Sequence, residues 1–201
     1  MDSPRTRRDE QRENTRSALI AAARPLFAER GYGAVGTEQI VAAARLTRGA
    51  LYYHFEDKRD LFRAVFEVTD RELVEGVARS ALAEEDPWQR LVVGCEAFLD
   101  ACLDPSLRRI VFLDAPSVLG WREWHELGEA ASALGLIEFG LQGAADAGLV
   151  QIDNVAVFAH LVLGALNEAG MFIAHADDPA EARREAGRAL LQLLAGLRTA
   201  G

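Results

Sequence analysis

An all-α fold is predicted for this chain by the spacing of its apolar residues and by its lack of strand signals. Apolar side chains recur every three to four residues through most of the sequence, which is the period of a helix with one buried face. The sequence shows no alternation of apolar and polar residues, and its glycines do not flank short β-branched runs as they would in hairpins. With 201 residues, 50% of them hydrophobic, the chain can form a substantial core in one or two domains.

Three helices are predicted in the first 56 residues. The first ends near Gly31, because glycine allows the backbone to leave a helix. We expect Thr37 to cap the second helix and Thr47 to cap the third, since a threonine hydroxyl can accept a free backbone N–H at a helix start. Arg45 and Leu46 then form the turn between them. The buried stripe of the first helix comprises Leu19, Ile20, Ala23, Leu26 and Phe27.

A longer helix is predicted over residues 57–84, and later boundaries are marked by aspartate–proline pairs. An aspartate can cap a helix, and a proline at the first helical position lacks only an N–H that would be unpaired there. A helix break is expected at Pro116. The pairs are Asp86-Pro87, Asp104-Pro105 and Asp178-Pro179. The predicted helices cover residues 88–103, 106–114, 122–147, 155–175 and 179–198.

Charge is distributed unevenly along the chain. Residues 1–66 hold 12 Lys/Arg and 9 Asp/Glu, a balance of +3, whereas residues 67–201 hold 10 and 22, a balance of −12; the two sum to the overall −9. A polyanion such as DNA is therefore expected to meet the N-terminal third of the chain. The acidic remainder would repel it.

The sequence predicts a cytoplasmic protein. The N-terminal residues are polar and charged, without the apolar segment of a secretory signal. The longest uncharged run, Asn154 to Asn167, has 14 residues, fewer than the roughly 18 that indicate a membrane span. Cys95 and Cys102 lie in an apolar helical pattern without metal-ligand spacing, so we expect reduced core thiols, no metal site and no cofactor.

The window from Thr37 to Phe62 is typical of a helix-turn-helix, in which a short helix supports a second one that enters the major groove of DNA. Leu51 and Phe55, four residues apart, are expected to face inward. The leading edge of the second helix is Thr47, Arg48, Gly49 and Ala50. Arg48 can donate two hydrogen bonds to guanine, worth roughly 1–3 kcal/mol of discrimination, and Ala50 can contact a thymine methyl group.

Phosphate contacts are expected around this leading edge. Tyr53 and His54 are candidates on the same helix, whereas Tyr52 is expected to be partly buried. Thr37 and Lys58 are placed at helix starts, where backbone phosphates are often held.

The string R-G-A-L-Y-Y-H-F, followed by a lysine and by L-F, resembles the DNA-binding part of the tetracycline-repressor (TetR) family of bacterial regulators. Arg45 departs from the family pattern, which usually has glycine at this turn position. A non-glycine residue with positive φ there costs on the order of 1 kcal/mol, although Arg45 gains a possible phosphate contact. The resemblance implies a helix-turn-helix domain over residues 1–57 and a helical ligand-binding and dimerisation domain over residues 58–201.

The resemblance further implies a homodimer formed by the last two helices, with double-stranded operator DNA and a small effector as partners. Two DNA-reading helices then require a near-palindromic operator. The mostly apolar body indicates a hydrophobic or aromatic effector. Candidate ligand-binding residues are Phe98, Cys102, Phe112, Trp121, Trp124, His125, His160, Asn167 and Met171. Each can instead be an ordinary core residue or an interhelical hydrogen-bonding group.

The predicted function is a dimeric transcriptional regulator, a repressor released from DNA by its effector. Two other classes stay open: an enzyme within a helical bundle, and a protein-binding adaptor. An enzyme is disfavoured because no Glu-x-x-His pair, G-x-S-x-G motif or phosphate-binding glycine loop occurs. Salt-dependent binding to promoter DNA separates a regulator from both alternatives.

Overall fold

The computed structural model describes residues 7–130 and 133–198, and within these ranges the regular elements are helical apart from an isolated bridge between Val150 and Arg198. The predicted all-α class is confirmed. A 3-10 turn, Tyr32–Ala34, precedes α2, and a π-helical stretch, Arg108–Asp114, joins α6 to α7. The helices are α1 (Arg7–Arg30), α2 (Thr37–Ala44), α3 (Arg48–His54), α4 (Lys58–Leu82), α5 (Pro87–Ala101), α6 (Pro105–Leu107), α7 (Ala115–Val118), α8 (Trp121–Ala130), α9 (Ala133–Asp146), α10 (Val155–His175) and α11 (Pro179–Ala195).

We call α1–α3 the head and α5–α11 the body; α4 joins them. In the head, α1 buries the predicted apolar stripe, and Phe27 of this helix is fully buried. The rings of Tyr32 and of Phe62, from the second turn of α4, pack on Phe27 with centroid distances of 5.8 and 5.3 Å. The chain leaves α1 at Gly31, whose φ of 77° is readily adopted by glycine. The first turns of α4 therefore share the core of the head.

The cap predicted at Thr37 is wrong by one residue, whereas the cap at Thr47 is confirmed. Gly36 is the N-cap of α2 and Thr37 is its first helical residue. The side chain of Gln39 accepts a hydrogen bond from the Gly36 N–H at 3.0 Å, so a glutamine stabilises this helix start in place of the threonine hydroxyl. The Thr47 hydroxyl accepts from the Ala50 N–H at 3.2 Å, as expected of the cap of α3.

All three aspartate–proline pairs cap helices as predicted. The Asp86 carboxylate accepts from the Gln89 N–H at 2.9 Å at the start of α5, and Asp178 accepts from the Glu181 N–H at 3.0 Å at the start of α11. Asp104 does the same for α6. These caps set the starts of three helices of the body.

The break predicted at Pro116 is wrong. Helical backbone continues from Pro105 to Val118, and the chain turns instead at Gly120, whose φ is 86°. In a regular α-helix the ring of Pro116 would clash with the carbonyl four residues earlier. The preceding π-helical stretch, in which the Ala115 N–H donates to the carbonyl of Ile110, widens the backbone and accommodates the proline.

The remaining helices follow the predicted ranges closely. Helices α8 and α9 occupy the range predicted as one helix over 122–147, and the predicted continuity at residues 131 and 132 falls outside the described residues. Helix α10 has the predicted bounds. Helix α11 ends at Ala195, slightly before the predicted end at residue 198.

Helix α10 is long and apolar enough to cross a membrane by length and composition alone. It packs against α9, α11 and the π-helical stretch, and 33% of the residues in its most apolar 18-residue segment are buried. One such helix does not indicate a membrane protein, because core helices of soluble proteins meet the same criterion.

Candidate nucleic-acid interface and ligand cavity

Two buried side chains, one on helix α3 and one at its C-cap, anchor this helix to the rest of the head. Leu51 is fully buried and Phe55 is nearly so, as the sequence predicted. These anchors turn the opposite face of the helix outward, where Arg48, Gly49 and Tyr53 are exposed. The arrangement is that of a short helix presented to a groove by a packed support.

The leading edge of this face is organised around Arg48. Its guanidinium lies 5.5 Å from the ring centroid of Tyr52 and 3.6 Å from the carboxylate of Glu38, a residue in the first turn of α2. Tyr52, which we expected to be partly buried, is 45% exposed. Hydrogen bonds from Arg48 and, secondly, from Thr37 lower the pKa of Tyr52. Arg48 is thus accessible and held by exposed contacts that a stronger partner can replace.

A second polar group forms where the end of α3 meets α1. Tyr53 is 70% exposed, and its ring lies edge-on to the His54 ring and 5.7 Å from the Arg12 guanidinium carbon. Burial, followed by the nearby charges of Arg12 and Arg16, lowers the pKa of His54. The imidazole is therefore predominantly neutral at pH 7 and offers a neutral N–H.

Arg45 has the left-handed conformation that its turn position predicted. Its φ is 55° and its ψ 38°, and it is the one non-glycine residue with positive φ in the described part of the chain. The Arg45 N–H closes the end of α2 by donating to Ala42 and Val41 carbonyls. The turn keeps its shape despite an unfavourable residue, and the arginine side chain is exposed beside α3.

Lys58 has a structural role that the sequence did not reveal. Its ammonium donates to the carbonyls of Tyr32 at 2.9 Å and of Val35 at 3.0 Å, and it lies 4.0 Å from the Tyr32 ring centroid. Two of its three N–H groups are therefore already used within the head. Lys58, which was expected from sequence to contact a phosphate, also ties the start of α4 to the loop before α2, and one N–H is left for another partner.

The head and the start of α4 both contact the body. The Asp114 carboxylate, at the end of the π-helical stretch, accepts from the Tyr32 N–H at 2.8 Å. Arg59 of α4 donates to the carbonyls of Val118 and Leu119 at 3.1 and 3.0 Å and pairs with the Glu123 carboxylate. These partners are far apart in sequence, so no local pattern indicated them.

The body contains a mostly apolar cavity between α4, α5, α9 and α10. Asp70 lines it and is 8% exposed, and its Oδ2 atom has no hydrogen-bond partner within the described residues. Burial raises the pKa of Asp70 to about 7. Sequence reasoning missed this residue, although a signal existed: Asp70 stands four residues after Phe66 and three before Leu73, on the buried stripe of α4.

Only two of the nine predicted ligand-binding residues, Phe98 and Asn167, line this cavity. His160 is on the outer surface of α10, with Nδ1 at 2.8 Å from the Ala156 carbonyl. Trp121 is 58% exposed on α8 and contacts the rings of its helix neighbours Trp124 and His125. The residues that lie outside the cavity are Cys102, Phe112, Trp121, Trp124, His125, His160 and Met171.

Most of the predicted ligand-binding residues lie outside the cavity because an apolar pattern in the sequence indicates which side chains are buried, not which of them line a cavity. Phe112 is packed between Phe98 and Trp124 in the core, with centroid distances of 6.2 and 6.4 Å. Cys102 is fully buried, and burial raises the pKa of its thiol to about 12. Met171 packs against the same core.

Comparison with known proteins gives two family matches and several relatives. Residues 19–65 match the family described as bacterial regulatory proteins, tetR family, and residues 88–197, more than half of the chain, match the tetracyclin repressor-like C-terminal domain. A solved structure of a TetR-family transcriptional regulator from Pectobacterium atrosepticum is 34% identical, with a TM-score of 0.86 over 98% of this chain and 99% of that one.

Two curated relatives match parts of the chain. The transposon Tn10 TetC protein of Escherichia coli is 28% identical over 60% of this chain, and the probable acrEF/envCD operon repressor of Escherichia coli strain K12 is 34% identical over 49%. The chain spans 62% and 47%, respectively, of the length of these two relatives.

Proposed function

This chain belongs to the TetR family of bacterial transcriptional regulators, and on that premise we propose that it is a dimeric repressor that binds a palindromic operator and is released by a small-molecule effector. The family consists of regulators, not enzymes. The observation that carries the proposal is the exposed face of α3, anchored from behind by Leu51 and Phe55 and led by the accessible Arg48.

We assign direct reading of base edges to the start of α3. Arg48 is proposed to exchange Glu38 and Tyr52 for guanine, and Ala50 to contact a thymine methyl group; Gly49 allows close approach of the backbone. The remaining contacts are proposed to hold phosphates and to set the register of the helix in the groove. They are Thr37, Arg45, Thr47, Tyr53, His54 and the third N–H of Lys58.

We propose that the dimer forms through α10 and α11. Four large apolar side chains on these helices are more than half exposed in the single chain: Val157, Leu161, Phe172 and Leu193. Exposed apolar side chains in one region are typical of a protein interface. Within α10, Val157 and Leu161 are one turn apart, so they lie on the same face of the helix. A two-fold axis between two copies would bring equivalent surfaces together and present two α3 helices to DNA.

The cavity of the body is the proposed effector site. Its lining is mostly apolar, which supports a hydrophobic or aromatic ligand. The effector releases DNA only if it binds one arrangement of the two heads more tightly than the other. The proposed division into a DNA-binding part, residues 1–57, and an effector and dimerisation part, residues 58–201, is one of function. It does not separate two cores, because Phe62 of α4 packs within the core of the head.

The proposed function is tested by footprinting the protein on the DNA upstream of its own reading frame, followed by titration at several salt concentrations. We expect a two-fold symmetric footprint and an affinity that falls steeply as salt rises. Arg48→Ala should weaken operator binding roughly tenfold to a hundredfold. Arg122→Ala, which removes an exposed arginine of the body, is the matched control. An unprotected promoter, or equal losses in both variants, would contradict the proposal.

A further inference from the structure

The cavity is a slot that runs along α4. Its lining residues on this helix begin at Asp70 and end at Ala81, and they recur at the three- and four-residue spacing of one helical face. The eleven helical steps from Asp70 to Ala81 correspond to a length of about 16 Å. Helices α5, α9 and α10 form the other walls with aliphatic side chains such as Leu91, Ile137 and Leu163. A polar group in this slot therefore has few neighbours that can satisfy it.

Asp70 is such a group, and it lies at one end of the slot. Its side chain is more than nine-tenths buried, and the cause of its raised pKa is burial alone. A buried carboxyl oxygen without a partner is unfavourable, because it has lost its contacts with water and gained none in return. A ligand that donates a hydrogen bond to this oxygen would remove that cost.

Arg90 also lines the cavity but does not neutralise Asp70. Its Nη2 donates to the carbonyls of Glu84 and Glu85 at 2.9 and 3.4 Å, and its guanidinium carbon lies 5.3 Å from the Phe139 ring centroid. Glu84 and Glu85 follow the end of α4, beyond Ala81, so the guanidinium is held at the opposite end of the slot from Asp70.

The other groups around the slot bring no charge to Asp70. On α5, burial raises the pKa of the Cys95 thiol to about 12, so the thiol is neutral. On α10 the polar lining residue is Asn167, an uncharged amide. The described lining residues of α8 and α9 are glycine, alanine, leucine and isoleucine.

We propose that Asp70 selects the ligand of this cavity, and that the ligand is a mostly apolar small molecule carrying a hydrogen-bond donor, a hydroxyl or an amine. The inference rests on the proposed function of the body as an effector domain. A carboxylate cannot pair with an ionised Asp70. The group in the cavity that suits a carboxylate is the guanidinium of Arg90, at the opposite end of the slot, whose Nε atom also has no hydrogen-bond partner within the described residues.

The test is calorimetric titration of the full chain, without DNA, with four molecules that share one skeleton: phenylpropanol, phenylpropylamine, phenylpropionate and propylbenzene. We expect the alcohol and the amine to bind roughly tenfold or more tightly than propylbenzene. Phenylpropionate should bind more weakly than the amine above pH 7, because it cannot pair with an ionised Asp70. Near pH 6, binding of the amine should release a proton as Asp70 ionises, whereas binding of the alcohol should not. This proton count shows whether the amine pairs with an ionised Asp70, and the two affinities show which donor the cavity favours.

Two variants of similar volume attribute the preference to Asp70. Asp70→Val should abolish the preference of the alcohol and the amine over propylbenzene. Asp70→Asn should keep the alcohol within a few-fold of its original affinity and lose the amine, because the amide oxygen accepts a hydrogen bond but carries no charge. Asp153→Asn, which neutralises a surface carboxylate before α10, is the matched control.

Equal binding of propylbenzene and its two donor-bearing analogues by the unaltered chain would overturn the inference, as would the absence of binding by all four. That result requires no variant, so it stands even if a substitution impairs folding. A failure of the proposed function is distinguishable, because it would appear as a promoter without a footprint whatever the ligand series shows.

Discussion

Replacing Asp70 with asparagine is predicted to stabilise the protein increasingly as the pH rises from about 4 to about 7. The pKa of Asp70 is raised from 3.8 to about 7 by burial, whereas in the unfolded chain the carboxyl returns to its ordinary value. The folded state therefore prefers the protonated carboxyl. The stability that this proton contributes is fully present when the pH is below the pKa of Asp70 in the unfolded chain. It is lost as the pH rises through the pKa of Asp70 in the folded protein.

The magnitude follows from the difference of about three pKa units. Each unit corresponds to roughly 1.4 kcal/mol, so ionising Asp70 costs about 4 kcal/mol of folding free energy above pH 7. Asparagine has nearly the same shape and no charge at any pH. The difference in stability between Asp70→Asn and the unaltered protein should rise by about 1.4 kcal/mol per pH unit between pH 4 and 7 and level off above it.

The assay is urea denaturation at one protein concentration and at several pH values, with circular dichroism as the signal. Asparagine also leaves a buried polar group without a partner, but that cost is the same at every pH, so the slope is diagnostic. Asp153→Asn reports the effect of removing a surface carboxylate. A stability difference that stays constant from pH 5 to pH 8 would refute the assignment of Asp70 as an isolated buried carboxyl.

Four further substitutions test the packing and the DNA-binding surface. In thermal denaturation, Gly170→Ala should destabilise the fold by about 1–3 kcal/mol, because the added Cβ would lie 2.5 Å from ring atoms of the buried Phe112. The matched control, Gly76→Ala in α4, should instead stabilise the fold by up to about 1 kcal/mol. Arg45→Gly should stabilise by roughly 0.5–1 kcal/mol by relieving the positive φ, while its titration with operator DNA should show weaker binding and a smaller salt dependence. Glu38→Gln should tighten operator binding by up to about fivefold, because an exposed ion pair of at most about 1 kcal/mol no longer competes for the arginine of α3; unchanged affinity in fluorescence anisotropy would count against that role.

Local chemistry made part of the fold predictable. The aspartate–proline pairs set helix starts because the capping oxygen and the proline lie within the same few residues as the N–H groups that they affect. The inward positions of Leu51 and Phe55 followed from helical spacing. Arg45 was predictable as an unusual residue because the family that this window resembles usually has glycine there, the residue that most readily adopts a left-handed conformation. In each case the cause and the effect are neighbours in the sequence.

Features that depend on distant partners were not predictable in the same way. The anchoring role of Lys58 was not predictable, because its carbonyl acceptors, on Tyr32 and Val35, are more than twenty residues away. The continuation of the helix through Pro116 depends on a π-helical stretch that no sequence pattern signalled. The predicted ligand set favoured aromatic residues, whereas the cavity is lined mainly by aliphatic ones and by one carboxyl.

Helix α4 connects the proposed effector site to the proposed DNA-binding surface through contacts at both of its halves. Asp70 lines the cavity in the middle of the helix. Lys58 and Arg59, at its start, donate hydrogen bonds to the loop before α2 and to the end of α7, respectively. A ligand bound at Asp70 adds a contact to the same rigid element that positions the head. Because a difference of 1–3 kcal/mol between two arrangements changes affinity roughly 5–150-fold, a single buried hydrogen bond to a carboxylate is of sufficient strength to regulate DNA binding. The isolated carboxyl therefore serves the proposed regulator better than a fully paired one, since a group already paired within the protein would gain little from a ligand.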